Sequence, residues 1–326
     1  MSVEPLVQAR ALSKSFERRS GLFGQRRQKF FAVNEVDLDI YPGEIVGLVG
    51  ESGSGKSTLG RLLIRLIEPD SGTLRFDGAD LLALRGAELR RRRREFQIVF
   101  QDPFGSLNPR MRIGKAIGEP LLIHQIATDR EERERRVAEL MQWVGLDPAM
   151  ADRYPHQFSG GQRQRIGIAR AIACGPRFVV ADEPVSALDP PVQAQIVNLM
   201  MELQRKLDLA YLFIAHDLNL VRRICQRVAV MYFGRIVEQA PVDELYANPQ
   251  HPYTRALIAA TPQLRPGGGA EVVLEGEPPS QTDPPGGCPF HPRCPEAIDR
   301  CREDRPTLLQ LGESHTVACH LAEPQL

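Results

Sequence analysis

Gly50-Glu51-Ser52-Gly53-Ser54-Gly55-Lys56-Ser57-Thr58 stands directly after the apolar run Ile45 to Val49 and directly before the helical sequence Leu59 to Ile67. Glycines in this pattern let the backbone curl into a nest of N–H donors. A lysine in the nest reaches β- and γ-phosphates, and the hydroxyl after it suits Mg²⁺. The stretch therefore predicts a strand, a phosphate loop and a helix, with Gly50 to Thr58 as the nucleotide-binding segment. Many folds carry such a loop, so the downstream sequence decides which one this is.

Phe158-Ser159-Gly160-Gly161-Gln162-Arg163-Gln164-Arg165 places a serine and two glycines just before a helical run, an N-terminus that offers N–H donors and a hydroxyl to an anion. Phe178-Val179-Val180-Ala181-Asp182-Glu183-Pro184 is an apolar strand whose end carries two carboxylates. Ser186-Ala187-Leu188-Asp189 follows, and Leu212-Phe213-Ile214-Ala215-His216-Asp217 is a second buried-type strand ending in histidine. Alone, the acidic pair would be a strand-end cap and the histidine a core residue; their order gives them another meaning.

Phosphate loop, Gln101, the Ser159 to Gln162 segment, the acidic strand, Asp189 and His216 together resemble the ATP-binding subunits of ABC transporters, over about residues 5 to 245. The resemblance implies a P-loop NTPase α/β fold: an ABC-type ATPase domain with an antiparallel β subdomain and a helical subdomain. It implies ATP hydrolysis with Mg²⁺ held by Ser57, Gln101 and Asp182, Glu183 as catalytic base, and His216 on the γ-phosphate. Phosphoryl transfer asks mainly for positioning and charge stabilisation. Ser159, Gly160, Gly161 and Gln162 would close over ATP bound to a second ATPase subunit, a copy or a sister chain, with Asp189 at the seam. Phe16 matches the position that stacks on adenine, with Phe30 and Phe31 as competitors. Glu17 to Lys29 reads as an inserted loop between the first two strands.

The 41 basic and 41 acidic side chains balance to zero formal charge, which argues against a general nucleic-acid binder. Arg90 to Arg94, flanked by Glu88 and Glu95, reads as a solvated helix face. No run of about 18 apolar residues exists and the first residues lack a signal-peptide core. The expectation is a cytoplasmic protein, peripheral at the inner face of the cell membrane, with membrane-spanning parts on other chains.

Val7 to Phe16 and Ala32 to Ile40 alternate like antiparallel strands, with Tyr41-Pro42-Gly43 as the turn into the phosphate-loop strand. Val137, Leu140, Met141 and Val144 recur at helical spacing within Arg130 to Val144, in a helical subdomain of about residues 102–168. Asp102 to Arg110 is the candidate for coupling to a membrane subunit.

Residues 249–326 read as a separate extension after an ATP-binding domain of residues 1–248. His251-Pro252-Tyr253-Thr254-Arg255-Ala256-Leu257 suits a helix start with proline in its first turn. It also resembles the C-terminal extension of the oligopeptide/dipeptide and nickel branch of ABC importers. A Pro- and Gly-rich linker, Pro262 to Gly287, leads to Cys288-x5-Cys294-x6-Cys301-x17-Cys319. Four close thiols in a reducing compartment favour a metal over disulfides. Tetrahedral Zn²⁺ and a [4Fe–4S] cluster both suit four cysteines, His291, His315 or His320 could replace one, and the branch resemblance implies the cluster. Cys174 and Cys225 read as core residues.

The reading is thus an ATPase translocase subunit for uptake of peptides or related small solutes, working with two permease subunits and an extracytoplasmic solute-binding protein. An ATPase serving a soluble enzyme complex and a nucleic-acid ATPase are the other classes. The second would need a coiled-coil insertion or a tandem cassette, and the sequence shows neither.

Overall fold

The computed structural model describes residues 4–20, 26–102, 105–260, 279–280, 282–312 and 314–322. Its strands are β1 Val7–Ser20, β2 Arg26–Ile40, β3 Ile45–Val49, β4 Ser71–Phe76, β5 Ala79–Asp80 and β6 Phe96–Val99, then β7 Phe178–Asp182, β8 Ala210–Ile214, β9 Arg227–Tyr232, β10 Arg235–Pro241, β11 Leu309–Gln310 and β12 Thr316–Val317. Its helices are α1 Lys56–Leu63, α2 Gly86–Arg92, α3 Ile113–Ile123, α4 Arg130–Trp143 and α5 Gly160–Ile172, then α6 Pro190–Leu207, α7 Leu218–Ile224, α8 Val242–Ala247, α9 Pro252–Ala259 and α10 Arg300–Glu303. Two compact units form: one from the described residues of Met1–Leu6, Ile40–Glu44 and Phe76–Ile214, the other from those of Val7–Asp39, Ile45–Arg75 and Ala215–Leu326.

In the first unit β7 lies between β6 and β8, both parallel to it, with Val99 opposite Ala181 and Asp182 opposite Ile214. Every residue of β7 and β8 is buried. That explains why these strands read as unbroken apolar runs, since parallel strands are covered on both faces. Helices α3, α4 and α5 pack together between β6 and β7 in the chain. Asp129 caps α4 by accepting the Glu132 N–H at 3.0 Å, and Val137, Leu140 and Met141 form its buried stripe. Helix α2 buries none of its residues, as expected of the arginine run it carries.

The second unit holds β3 parallel to β9, with Val46 opposite Arg227 and Val49 opposite Val230. Strand β10 returns antiparallel on β9 through Phe233 and Gly234, whose φ angles of 50° and 80° make the two-residue turn that suits a hairpin. β12 pairs with the other side of β10, and β11 with β12. In a separate sheet the order is β2-β1-β4. β1 continues to Ser20 and β2 begins at Arg26, so most of the expected Glu17 to Lys29 loop is paired strand. Two strands that bond to each other can carry charged residues past the core; residues 21–25 lie outside the described set. Helix α1 stops at Leu63, short of Ile67, because Arg65 takes a left-handed φ of 49°.

Candidate ATP site

The phosphate loop leaves the buried end of β3. Gly50 and Gly55 have φ angles of 146° and 107°, and a Cβ on them would lie 2.1 Å from the Met231 carbonyl oxygen and 2.0 Å from that of Ala32. Glycine is required there by conformation and by the approach of two other backbone segments. Ser54 donates its N–H to the Glu51 carbonyl at 3.2 Å, while its own carbonyl accepts the Gly234 N–H at 2.9 Å. Its hydroxyl is buried and has no partner among the described residues, which suits a loop shaped for a polar ligand. Lys56 is 5% exposed, and its ammonium donates to the carbonyls of Gly50 at 2.7 Å and Glu51 at 2.9 Å. Ser57 and Thr58 are half-buried in the first turn of α1, and Ser52 and Gly53 are exposed on the rim.

In the first unit, register brings Gln101 to Glu183, because each stands two residues beyond the opposed pair Val99 and Ala181. The Gln101 amide donates to the Glu183 carboxylate at 2.9 Å. Asp182, beside it, is 2% exposed at the end of β7. Glu183 has a left-handed φ of 47°, unusual for a residue with a Cβ. Hydrogen bonds on both sides hold it: its N–H donates to the Ile214 carbonyl at 3.1 Å, and its carbonyl accepts the Ser186 hydroxyl at 3.1 Å. The oxygen donors Ser57, Gln101 and Asp182 are the hard ligand type that Mg²⁺ takes. In the second unit the Ala215 N–H donates to the Leu48 carbonyl at 3.3 Å, which puts exposed His216 near the end of β3 from which the phosphate loop departs.

Ser159 is the N-cap of α5. Its hydroxyl accepts the Gln162 N–H at 3.3 Å, and the Gln162 side chain accepts the Ser159 N–H at 3.0 Å. This reciprocal box fixes the helix start that the sequence suggested for anion binding. A Cβ on Gly161 would stand 2.5 Å from Val192 Cγ1, so glycine there lets α5 approach α6. Exposed Asp189 is the N-cap residue of α6, without a side-chain cap bond. Phe16 is 37% exposed, 6.1 Å from Phe30 between ring centres, with the Lys14 ammonium 5.8 Å from its ring. In the coupling segment, Leu107 is buried and the Ser106 carbonyl accepts Arg170 at 2.6 Å; residues 103–104 lie outside the described set.

The extension makes both local and long-range contacts. His251 caps α9 by accepting the Tyr253 N–H on Nδ1 at 3.0 Å, and burial pushes its pKa down to about 4. Fully buried Tyr253 accepts the Glu51 N–H on its phenol oxygen at 2.8 Å. Arg293 grips the Glu51 carboxylate with both terminal nitrogens, at 2.8 and 2.9 Å. These partners stand 202 and 242 residues from Glu51, beyond any local pattern.

The metal site expected of Cys288, Cys294, Cys301 and Cys319 is not supported. Among the described residues no group of three or more His, Cys, Asp or Glu side chains could hold a metal ion. The four are free thiols, and burial pushes Cys288 up to about 11 and raises Cys294 and Cys319, favouring their protonated forms. They are nonetheless electrostatic neighbours, and Cys288, Cys294 and Cys319 receive backbone N–H groups from Phe290, Glu296 and Leu321. His315 is not available as a substitute ligand: its two ring nitrogens meet Glu238 at 2.8 Å and Glu244 at 2.9 Å, which raises its pKa. His291 and His320 meet the carbonyls of Cys288 and Asp304. Cys225 is buried as expected, and Cys174 is half-buried just past α5. Most of the Pro262 to Gly287 linker lies outside the described residues. Among those described, no helix is long and apolar enough to cross a membrane.

Residues 33–186 match the family described as ABC transporter, and residues 237–301 the oligopeptide/dipeptide transporter C-terminal region. The chain is 50% identical over 322 residues to the oligopeptide transport ATP-binding protein AppF of Bacillus subtilis, covering 98% of each chain. It is 48% identical to the di/tripeptide transport ATP-binding protein DppF of Pseudomonas aeruginosa, over 98% of this chain and 99% of that one. The structure of the ATP-binding cassette MJ0796, a dimer in a post-hydrolysis state bound to ADP and Pi, is similar at a TM-score of 0.64 and 30% identity, over 72% of this chain and 98% of that one. With the phosphate loop, the Gln101–Glu183 pair and the capped Ser159 helix in place, the chain belongs to the ATP-binding subunits of ABC transporters that carry the oligopeptide/dipeptide C-terminal region.

Proposed function

We propose that this chain hydrolyses ATP to energise uptake of peptides or related small solutes across the cytoplasmic membrane. The observation that carries the hydrolytic part is the Gln101–Glu183 contact at a strand end beside buried Asp182. Lys56 and the loop Gly50 to Thr58 bind the phosphates. Ser57, Gln101 and Asp182 would hold Mg²⁺, which would neutralise phosphate charge. Glu183 orients and deprotonates the attacking water, Gln101 positions that carboxylate, and His216 contacts the γ-phosphate. Phe16 stacks on adenine.

Ser159, Gly160, Gly161 and Gln162 close over the nucleotide of a second ATPase subunit, copy or sister, with Asp189 at the seam; the dimeric solved relative supports this reading. Closure moves two permease subunits through Asp102 to Arg110, at the inner face of the membrane, and an extracytoplasmic binding protein delivers solute. The ATP-binding domain spans residues 1–248 and the extension 249–326. The free thiols Cys288, Cys294, Cys301 and Cys319 take no step in this turnover.

Lys56→Ala should abolish nucleotide binding, and Glu183→Gln should bind ATP, stop turning over and dimerise. Light scattering with saturating ATP reads the last point, alone and with a co-purified sister subunit. A Glu183→Gln chain monomeric in both refutes the sandwich.

A further inference from the structure

Tyr253, Lys56 and Arg293 all meet one residue of the phosphate loop, Glu51. The Glu51 N–H is held by the Tyr253 phenol at 2.8 Å, its carbonyl accepts the Lys56 ammonium at 2.9 Å, and its carboxylate is gripped fork to fork by Arg293. Two of these partners belong to the C-terminal extension. Neither is a loose surface contact: the Arg293 side chain is 5% exposed and that of Glu51 24%. The Tyr253 ring stands 4.6 Å from that of Tyr232 and 5.4 Å from Phe290, with Phe290 edge-on to Tyr232 at 5.3 Å. Arg293 closes the short turn His291–Arg293, and the Cys288 N–H ties that segment to the Cys301 carbonyl at 2.8 Å.

A carboxylate in a loop that receives a polyphosphate repels it unless neutralised. A bidentate guanidinium both neutralises the charge and fixes its direction, which a lysine would not do. Fixing the loop before the nucleotide arrives removes an ordering cost from binding. We infer that Arg293 and Tyr253 are positioning residues of the ATP site, through which the C-terminal extension holds the phosphate loop in its binding shape by way of Glu51. The inference rests on the reading of Gly50 to Thr58 as the ATP site. Neither residue is assigned contact with a reacting atom, so their loss shows in affinity rather than in chemistry.

The test uses the full-length chain, a fluorescent ATP analogue for Kd and phosphate release for KM and kcat. Arg293→Ala should raise Kd and KM about tenfold, as expected for loss of one charged hydrogen-bonded pair, with kcat within about twofold of wild type. Adding Glu51→Gln to Arg293→Ala removes the unneutralised charge and should bring Kd back to within about threefold of wild type. Tyr253→Phe should raise Kd about threefold. If Arg293→Ala fails to fold, Arg293→Lys, which keeps stem and charge without the fork, should raise Kd and KM about threefold. A folded Arg293→Ala with wild-type Kd overturns the inference, as does a double variant no better than the single one. A wild-type chain that binds no analogue, or a Lys56→Ala chain that binds it equally well, overturns the ATP-site reading and this inference with it.

Discussion

Glycine should be more stable than alanine at position 183, the reverse of the usual order. Glu183 sits at a φ of 47°, where a Cβ is strained by about 1–3 kcal/mol and glycine is not. Against that, glycine loses about 0.5–1 kcal/mol more chain entropy on folding than alanine. Both substitutions lose the carboxylate and its bond to Gln101 equally, so that contribution cancels between them. The balance favours Glu183→Gly over Glu183→Ala by about 1 kcal/mol, roughly 2 °C in Tm for a chain of this size. ATP turnover should fall about a thousandfold in both, since each removes the proposed base. Scanning calorimetry and phosphate release on the same preparations separate the two effects. Ala138→Gly, within α4, is the control and should lose about 1 kcal/mol. An alanine variant at 183 more stable than the glycine variant would refute strain at the strand end, whatever happened to turnover.

Gly161→Ala should cost about 1–3 kcal/mol in urea unfolding because its new methyl meets Val192 at 2.5 Å, and a second change, Val192→Ala, should recover part of it; an unchanged midpoint in the single variant would show that α5 and α6 do not meet this closely. His251 has its folded pKa lowered from 6.5 to about 4, so the stability it contributes is present above the unfolded value and is lost as pH falls through the folded one. Acidification from pH 7 to 4 should therefore cost about 3 kcal/mol through this group, and His251→Asn, which keeps a cap acceptor, should flatten the loss. A variant with the wild-type acid slope would show that His251 is not the titrating group. His315 has the opposite sign: its pKa is raised between Glu238 and Glu244, so its contribution is complete below 6.5 and lost as pH rises through the folded value. His315→Gln should be less sensitive to pH above neutrality than wild type, and an equal slope in urea midpoints would count against the charged pair.

Local pattern carried most of what was legible. The phosphate loop, the apolar runs of β7 and β8 and the cap of α5 each depend on residues within a few positions of one another, so spacing alone identified them. The Gln101–Glu183 contact was not legible, because it joins residues 82 positions apart and depends on the parallel register of β6 and β7. The length of β1 and β2 was not legible, because their pairing satisfies the backbone beyond the point where alternation stops. His315 offered itself as a spare ligand in sequence; in the fold it is claimed by two glutamates 77 and 71 positions away.

Glu51 shows most clearly why such contacts escape a sequence reading. A phosphate-loop pattern constrains the glycines, the lysine and the hydroxyl that follows, and tolerates many residues at position 51. A glutamate there would set a negative charge beside the phosphates, which local reasoning can only count as unfavourable. Its sign changes once Arg293 is present, because a forked, nearly buried guanidinium turns the charge into an anchor. Position 51 and the extension therefore depend on each other. A chain lacking the extension would be better served by a neutral residue at 51, so Glu51→Gln should weaken ATP binding while Arg293 is present and improve it once Arg293 is lost, and that reversal separates an electrostatic clamp from simple packing.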